Sequence, residues 1–349
     1  MGGEAYFHRH LSPGFESALA AGQPLRFLLE GATIHGEDGV RLVPHPRDGN
    51  SLMLYAGLTR VLDLVHLEDR QEFVPSAARA YEMHRHGVQP RYPAADVADL
   101  ARDLNRYLSA VTVRARFYER EGRCTAWLSR RFGPDRLGAD DWAVIDSESV
   151  LGFADSQARE GFWAPILERG RGVLEVLAKS PKLFGRGIAT RRFGGELDLL
   201  LWDPVRREFL VVEVKDGSSA DGIYLSPLQV GCYLAAWRRF ALEQPDEALS
   251  GLTSLLAQRQ RLGMVHGPCQ LPRTRADLRF RPVIVVQDPK ERSSCWARLQ
   301  MVQRAVQDAW QPAERPHLEG LSICAVVDGQ LADITQQCPQ WPGGHGCQH

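Results

Sequence analysis

A chain of 349 residues is long enough for two domains, and its balance of 44% hydrophobic to 24% charged residues excludes a disordered or fibrous polymer. The formal net charge of −1 excludes a whole-molecule field that attracts polyanions, so any contact with nucleic acid has to come from a local basic patch. No apolar run reaches the roughly 18 residues of a membrane span, and the opening MGGEAYFHRHLSPG lacks the order of a signal peptide, so a cytoplasmic protein without a membrane partner is expected.

Residues 1–148 read as an α+β domain for substrate recognition or dimerisation. PLRFLLEG, VRLVP, SLMLYAG and TRVLDLVHL predict short strands separated by HGEDG and HPRDGN turns, and a helical stretch follows from about Ala94 to Arg120. The pairs His8 with His10 and His84 with His86 have no neighbouring cysteine and no HExxH context, so they read as surface histidines. Asp63, Asp69 and Glu72 are no stronger as ligands. Seven cysteines without paired spacing suit a reducing compartment, and Cys232 and Cys324 sit in apolar segments as small core residues.

The polar, acidic stretch FGPDRLGADDWAVIDSESVLG marks a domain boundary, giving a second domain over 149–335 and a flexible tail over 336–349. GFWAPILERGRGVLEVLAKSPKLFGRG predicts a helix with a break near Gly170 and Gly172 and with Pro181 past its end. A short strand around Ile188 to Phe193 comes next, then a hairpin and the loop DGSSADGIYL. A helix follows, with Ser226 as its cap and Pro227 in its first turn. LRFRPVIVVQDP, SSCWARLQMVQRAVQDAW and GLSICAVVDGQLADI add strand, helix and strand, so the order from Gly161 is αβββαβαβ. In the tail, Cys338, His345, Cys347 and His349 are zinc-type ligands, but the Pro and Gly around them favour a flexible end.

The hairpin carries the chemistry. LDLLLW and FLVVEV are apolar strands joined by DPVRRE, and a symmetric hairpin centres between Val205 and Arg206. That register sets Asp198 across from Glu213 and Glu196 across from Lys215, with opposed Cβ atoms about 5 Å apart. Two carboxylates so close in an apolar sheet repel unless they share a proton or a divalent cation. Glu213 and Lys215 share a face by the two-residue period. Lysine is rare here: of 42 Lys and Arg residues only Lys179, Lys182, Lys215 and Lys290 are lysine, and a compact ammonium with a movable pKa suits handling a water.

Asp198, the Glu213-Val214-Lys215 strand, and Gln229 and Tyr233 on the next helix together resemble the PD-(D/E)XK nuclease superfamily. The Gln-x-x-x-Tyr spacing is similar to its RecB-type branch, and LAKSPKLFGRG to the lead-in of NucS-like and Shedu-like nucleases. The resemblance spans about Gly161 to Asp333 and lacks the family's Pro before the first Asp, where Glu196-Leu197 stands instead. It implies an α/β fold with a restriction-endonuclease-like mixed sheet flanked by helices, and a metal-dependent endonuclease acting on DNA in repair or in defence against foreign DNA, with a homodimer as an expected state. It implies Asp198, Glu213 and the Val214 carbonyl as metal ligands, Lys215 as the residue that orients or deprotonates water, Gln229 and Tyr233 as support, and Glu168 or Glu175 as the further acid. Hard oxygen ligands favour Mg²⁺, with Mn²⁺ as a substitute.

Plainer roles compete at several of these positions. Glu196 and Lys215 would make an ordinary cross-strand ion pair. Gln229 stands three residues after Ser226, the spacing of a capping box, and Tyr233 would serve as a core aromatic. Arg186, Arg191, Arg192 and Arg238, with Arg239, are candidates for phosphate contacts, against solvated surface charge. The competing reading of the whole is a non-catalytic nucleic-acid-binding or assembly module that keeps the fold.

Overall fold

The computed structural model describes residues 5–34, 40–113, 118–185, 187–191, 196–310 and 320–336. They fall into two compact units, one of residues 8–145 with 251–271, the other of residues 1–7, 146–250 and 272–349. The division expected at 148/149 lies close to the crossing at 145/146, but the chain also returns to the first unit over 251–271.

After β1 (Ala5–Tyr6), the first unit opens with α1 (Pro13–Leu19). Ser12 caps it by accepting from the Phe15 N–H, and Pro13 stands in its first turn. PLRFLLEG is not a strand: Arg26–Leu28 is a 3₁₀ turn with Leu25 and Leu28 buried. β2 (Thr33–Ile34) pairs with β3 (Val40–Arg41), and then β4 (Val43–Arg47), β5 (Ser51–Ala56), β6 (Thr59–Leu67), β7 (Glu72–Ser76) and β8 (Tyr92–Pro93) form an antiparallel meander. α2 (Val97–Ala110) buries Leu100, Leu104, Tyr107 and Leu108, an i, i+4, i+7, i+8 stripe, in one core with Phe15, Leu54 and Leu64. The helix expected to Arg120 ends at Ala110, and α3 (Glu121–Arg131) is a second helix. The returning segment is tied in by Arg136, only 2% exposed, which donates to the carbonyls of Asp141, Trp142, His266 and Pro268.

The second unit is built on β9 (Ala143–Ser149), β10 (Gly152–Phe153), α4 (Ser156–Ala178), α5 (Pro181–Phe184), β11 (Leu197–Asp203), β12 (Glu208–Asp216), α6 (Ala220–Glu243), α7 (Pro245–Arg261), β13 (Phe280–Gln287), α8 (Cys295–Ala309), β14 (Ser322–Val327) and β15 (Gln330–Asp333). β9 and α7 each cross a division between the units. The sheet runs β15-β14-β13-β12-β11-β9, antiparallel at β11/β12 and β14/β15 and parallel at β12/β13 and β13/β14. This is a mixed α/β unit whose central strands are apolar on both faces. α6 packs on β12 and β13 and is flanked by α4 and α8.

Four expectations need correction. Ile188–Thr190 is a 3₁₀ turn rather than a strand, and Phe193 lies outside the described residues. The strand beside β11 is instead β9, which reads as a linker because Asp146, Ser147 and Ser149 are polar although all three are buried. α4 runs unbroken through Gly170 and Gly172. α6 begins at Ala220, not after Ser226, and Ser219 caps it by accepting from the Gly222 N–H at 3.3 Å. Pro227 is tolerated inside the helix because the Ser226 hydroxyl donates to Ile223 O at 2.6 Å, the carbonyl that the missing Pro227 N–H leaves open.

Candidate functional site

The hairpin has the register that its symmetry predicts. Leu199 faces Val212, Leu200 faces Val211 and Asp203 faces Glu208, which continues to Asp198 beside Glu213. The turn is fixed at both ends. Asp203 Oδ1 accepts the N–H groups of Val205 and Arg206 at 3.0 and 2.9 Å, closing an Asx turn. Arg207, at φ 52°, is held by two bonds to Asp277 of 2.9 and 2.7 Å. Arg281 on β13 braces the same end through Glu208 at 2.6 Å and Asp203 at 3.6 Å.

At the open end the paired ladder gives way to side-chain bonds. Asp198 Oδ2 accepts the Val214 N–H at 2.6 Å, so this carboxylate clasps the neighbouring strand. Glu213 and Lys215 share a face of β12 as the period requires, and Lys215 Nζ lies 2.5 Å from Glu213 Oε1 with the side chains 9% and 2% exposed. The ion pair of Lys215 is thus made along its own strand. Glu196, the partner expected across the hairpin, is an exposed residue just before β11.

α6 covers this patch. Tyr233 is 3% exposed, and its hydroxyl pKa is pushed up, first by burial and then by the negative charges of Glu213, Asp198 and, more weakly, Glu196. The acids and the tyrosine therefore occupy one region, and the hydroxyl stays protonated at neutral pH. Gln229 is half-buried one turn earlier; with α6 starting at Ala220 it cannot belong to a capping box. Sequence reasoning missed Gly222. A Cβ there would lie 2.7 Å from Ser219 Oγ and 3.1 Å from Lys215 Cδ, so this glycine lets the helix start sit on the lysine stem. Its signal was present in DGSSADG, which puts a cap serine three residues before a glycine.

The outer residues divide differently. Glu168 and Glu175 are exposed on α4, and neither completes a ligand set: among the described residues no three His, Cys, Asp or Glu side chains form a group able to hold a metal. The same holds for the histidine pairs, Asp63, Asp69 and Glu72. Arg238 donates to Phe280 O at 2.9 Å, and burial lowers its pKa, so it is part of the scaffold. Arg239 likewise donates to Phe162 O at 2.7 Å and lies over the Phe162 ring. Arg191 is half-exposed and paired with Asp221 in the first turn of α6. Arg186, Arg192 and the tail ligands Cys338, His345, Cys347 and His349 lie outside the described residues. Cys232 and Cys324 are buried, and burial pushes both thiols up to about 12.

Among the described residues no helix is long and apolar enough to cross a membrane. Comparison with protein-family models, with curated proteins and with solved structures finds no match to this chain.

Proposed function

We propose that the hairpin and α6 form the centre of a metal-dependent phosphodiester hydrolase acting on DNA. The observation that carries this reading is the register that brings Asp198 beside Glu213, with Lys215 and Tyr233 on the same patch. A buried carboxylate 2% exposed, a second one half-buried beside it, and a lysine that already neutralises one of them are more than the sheet needs for stability.

Two side-chain carboxylates fit Mg²⁺, which keeps several waters and takes only one or two protein carboxylates together with substrate phosphates. Asp198, Glu213 and the Val214 carbonyl would hold the ion, and Mn²⁺ would substitute for it. When bound, the ion supplies a water of lowered pKa and charge stabilisation at the attacked phosphate. Lys215, in direct contact with Glu213 at 2.5 Å, holds a proton at the edge of the carboxylate pair and would donate it to a water bound beside Glu213. Tyr233, kept protonated by burial and by its acidic neighbours, donates a hydrogen bond into the patch. Gln229 sets the polar side of α6 against the substrate strand. Endonucleolytic action, a role in repair or defence, and a homodimer belong to the same proposal and follow the family resemblance.

Purified protein incubated with plasmid, linear duplex and single-stranded DNA in Mg²⁺ or Mn²⁺ is expected to cleave at least one of them. Lys215→Ala should slow cleavage by about 10²-fold or more, the scale of a lost proton-handling group, and Asp198→Ala should abolish it. Intact DNA in all three incubations, or undiminished cutting by Asp198→Ala, would overturn the reading. Calorimetric titration with Mn²⁺ decides the alternative: a non-catalytic module has no site that disappears in Glu213→Gln.

A further inference from the structure

The first unit contains a cavity of about 220 Å³ in which arginines stand among apolar residues such as Leu29, Leu42 and Met264. Arg26, Arg41, Arg130 and Arg259 line it, against two carboxylates, Glu30 and Asp135. Those two are 62% and 49% exposed, and each already serves one arginine, Arg26 at 2.9 Å and Arg130 at 2.5 Å. Arg26 is also anchored to Leu262 O at 2.8 Å, and Gly263, at φ +71°, leaves room for it: a Cβ there would stand 3.1 Å from a guanidinium nitrogen.

Arg259 connects this wall to a deeper basic group. It is 2% exposed, and Arg9 and Arg47 are 6% and 7% exposed. Their charges act on His45, 3% exposed and on the same face of β4 as Arg47 by the two-residue strand period. Both His45 and Arg47 lie against the Tyr55 ring, at 5.2 and 5.8 Å. His45 Nδ1 is buried without a hydrogen-bond partner. Burial first, and then the charges of Arg47, Arg259 and Arg9, drive the imidazole toward its neutral form. The charge of the guanidinium groups is permanent, and their field in this water-poor region is only weakly screened. Asp48, 3.9 Å from Arg9, is 42% exposed.

We propose that this cavity is a binding site for a small phosphate-bearing anion, of about the size of a diphosphate group. Guanidinium forks match phosphate oxygens in pairs, and a single carboxylate would neutralise only one of the arginines present. The cavity is smaller than the roughly 300–1,000 Å³ of sites for drug-sized ligands, which favours a compact polyanion over a bulky acid. The site is independent of the hairpin carboxylates.

Calorimetric titration of the full chain with inorganic phosphate, pyrophosphate and ADP, in EDTA, tests it. Pyrophosphate is expected to bind with one-to-one stoichiometry and to weaken as salt rises. Arg41→Ala and Arg130→Ala, both at the accessible wall, should each weaken binding at least tenfold, and Asp198→Ala should leave it unchanged. ADP tighter than pyrophosphate would identify a nucleotide ligand; pyrophosphate tighter than ADP would identify the free anion; either supports the site. No heat with millimolar pyrophosphate, or binding indifferent to both arginine variants, would overturn it. Because Arg259 is buried and its variants risk unfolding, the two wall variants decide the question.

Discussion

Asp277 shows how much of the candidate site depends on one residue far from it in sequence. Burial alone would raise its pKa, but the paired bonds from Arg207 and the N–H groups of Arg273 and Thr274 outweigh burial and bring it to about 2. A carboxylate depressed in the folded state contributes stability that is complete above its unfolded value near 4 and is lost as pH falls through its folded value. Asp277→Asn is therefore expected to lower stability by about 2 kcal/mol at neutral pH. It should also flatten the loss of stability between about pH 4 and pH 2, which denaturant melts across that range would measure. An unchanged midpoint at neutral pH would show that the Arg207 clamp contributes nothing. Asp277 was not legible as a partner of the hairpin, because nothing in local periodicity ties residue 277 to residue 207. Asp198, Glu213 and Lys215 were legible because a two-residue period and a symmetric turn suffice to pair them. The pairing of Lys215 with Glu213 instead of Glu196 was not, since it depends on side-chain reach along a single strand.

Among the elements, strands with continuous apolar runs were readable: β11, β12, β13 and β14 all fall where LDLLLW, FLVVEV, PVIVV and SICAVV stand. The start of α6 was not, because Pro227 after a serine mimics a helix beginning, and only the Ser226 bond to Ile223 O reveals a proline carried in mid-helix. The turn that joins β12 to α6 depends on Gly217, whose N–H donates to Gln287 O at 2.7 Å. A Cβ there would lie 2.1 Å from Asp288 O and 2.4 Å from Gln287 O, both backbone atoms with little freedom. Gly217→Ala should force β12 and β13 apart at the end that holds Lys215 and destabilise by about 1–3 kcal/mol. Gly187→Ala, where a Cβ meets nothing within 4 Å, is the matched control and should leave the melting temperature almost unaltered. Equal behaviour of the two variants would contradict the tight approach.

For the whole molecule, the polar stretch before Gly152 suggested a division at 148/149, against a crossing at 145/146, and two features of the second unit had no signal in composition. Its sheet takes its outer strand from β9, and β10 pairs with β1 from the beginning of the chain. Both strands are short or polar, so neither carries the apolar alternation by which strands are recognised. A fragment of residues 149–349 would lack nearly all of β9 and would leave the β11 edge with unsatisfied N–H and C=O groups. It is expected to be insoluble or to form higher assemblies than the full chain by size-exclusion chromatography; a fragment with native circular dichroism and no larger assembly than the full chain would refute this.

The position of β9 also bears on synthesis of the chain. It precedes β11 in the chain, so its backbone is already available when the β11–β12 hairpin emerges from the ribosome. The opposite side of the hairpin has to wait for residues 280–287, which form β13. The nascent hairpin is therefore guarded on the Asp198 strand first, and the strand bearing Glu213 and Lys215 is the last to find its neighbour.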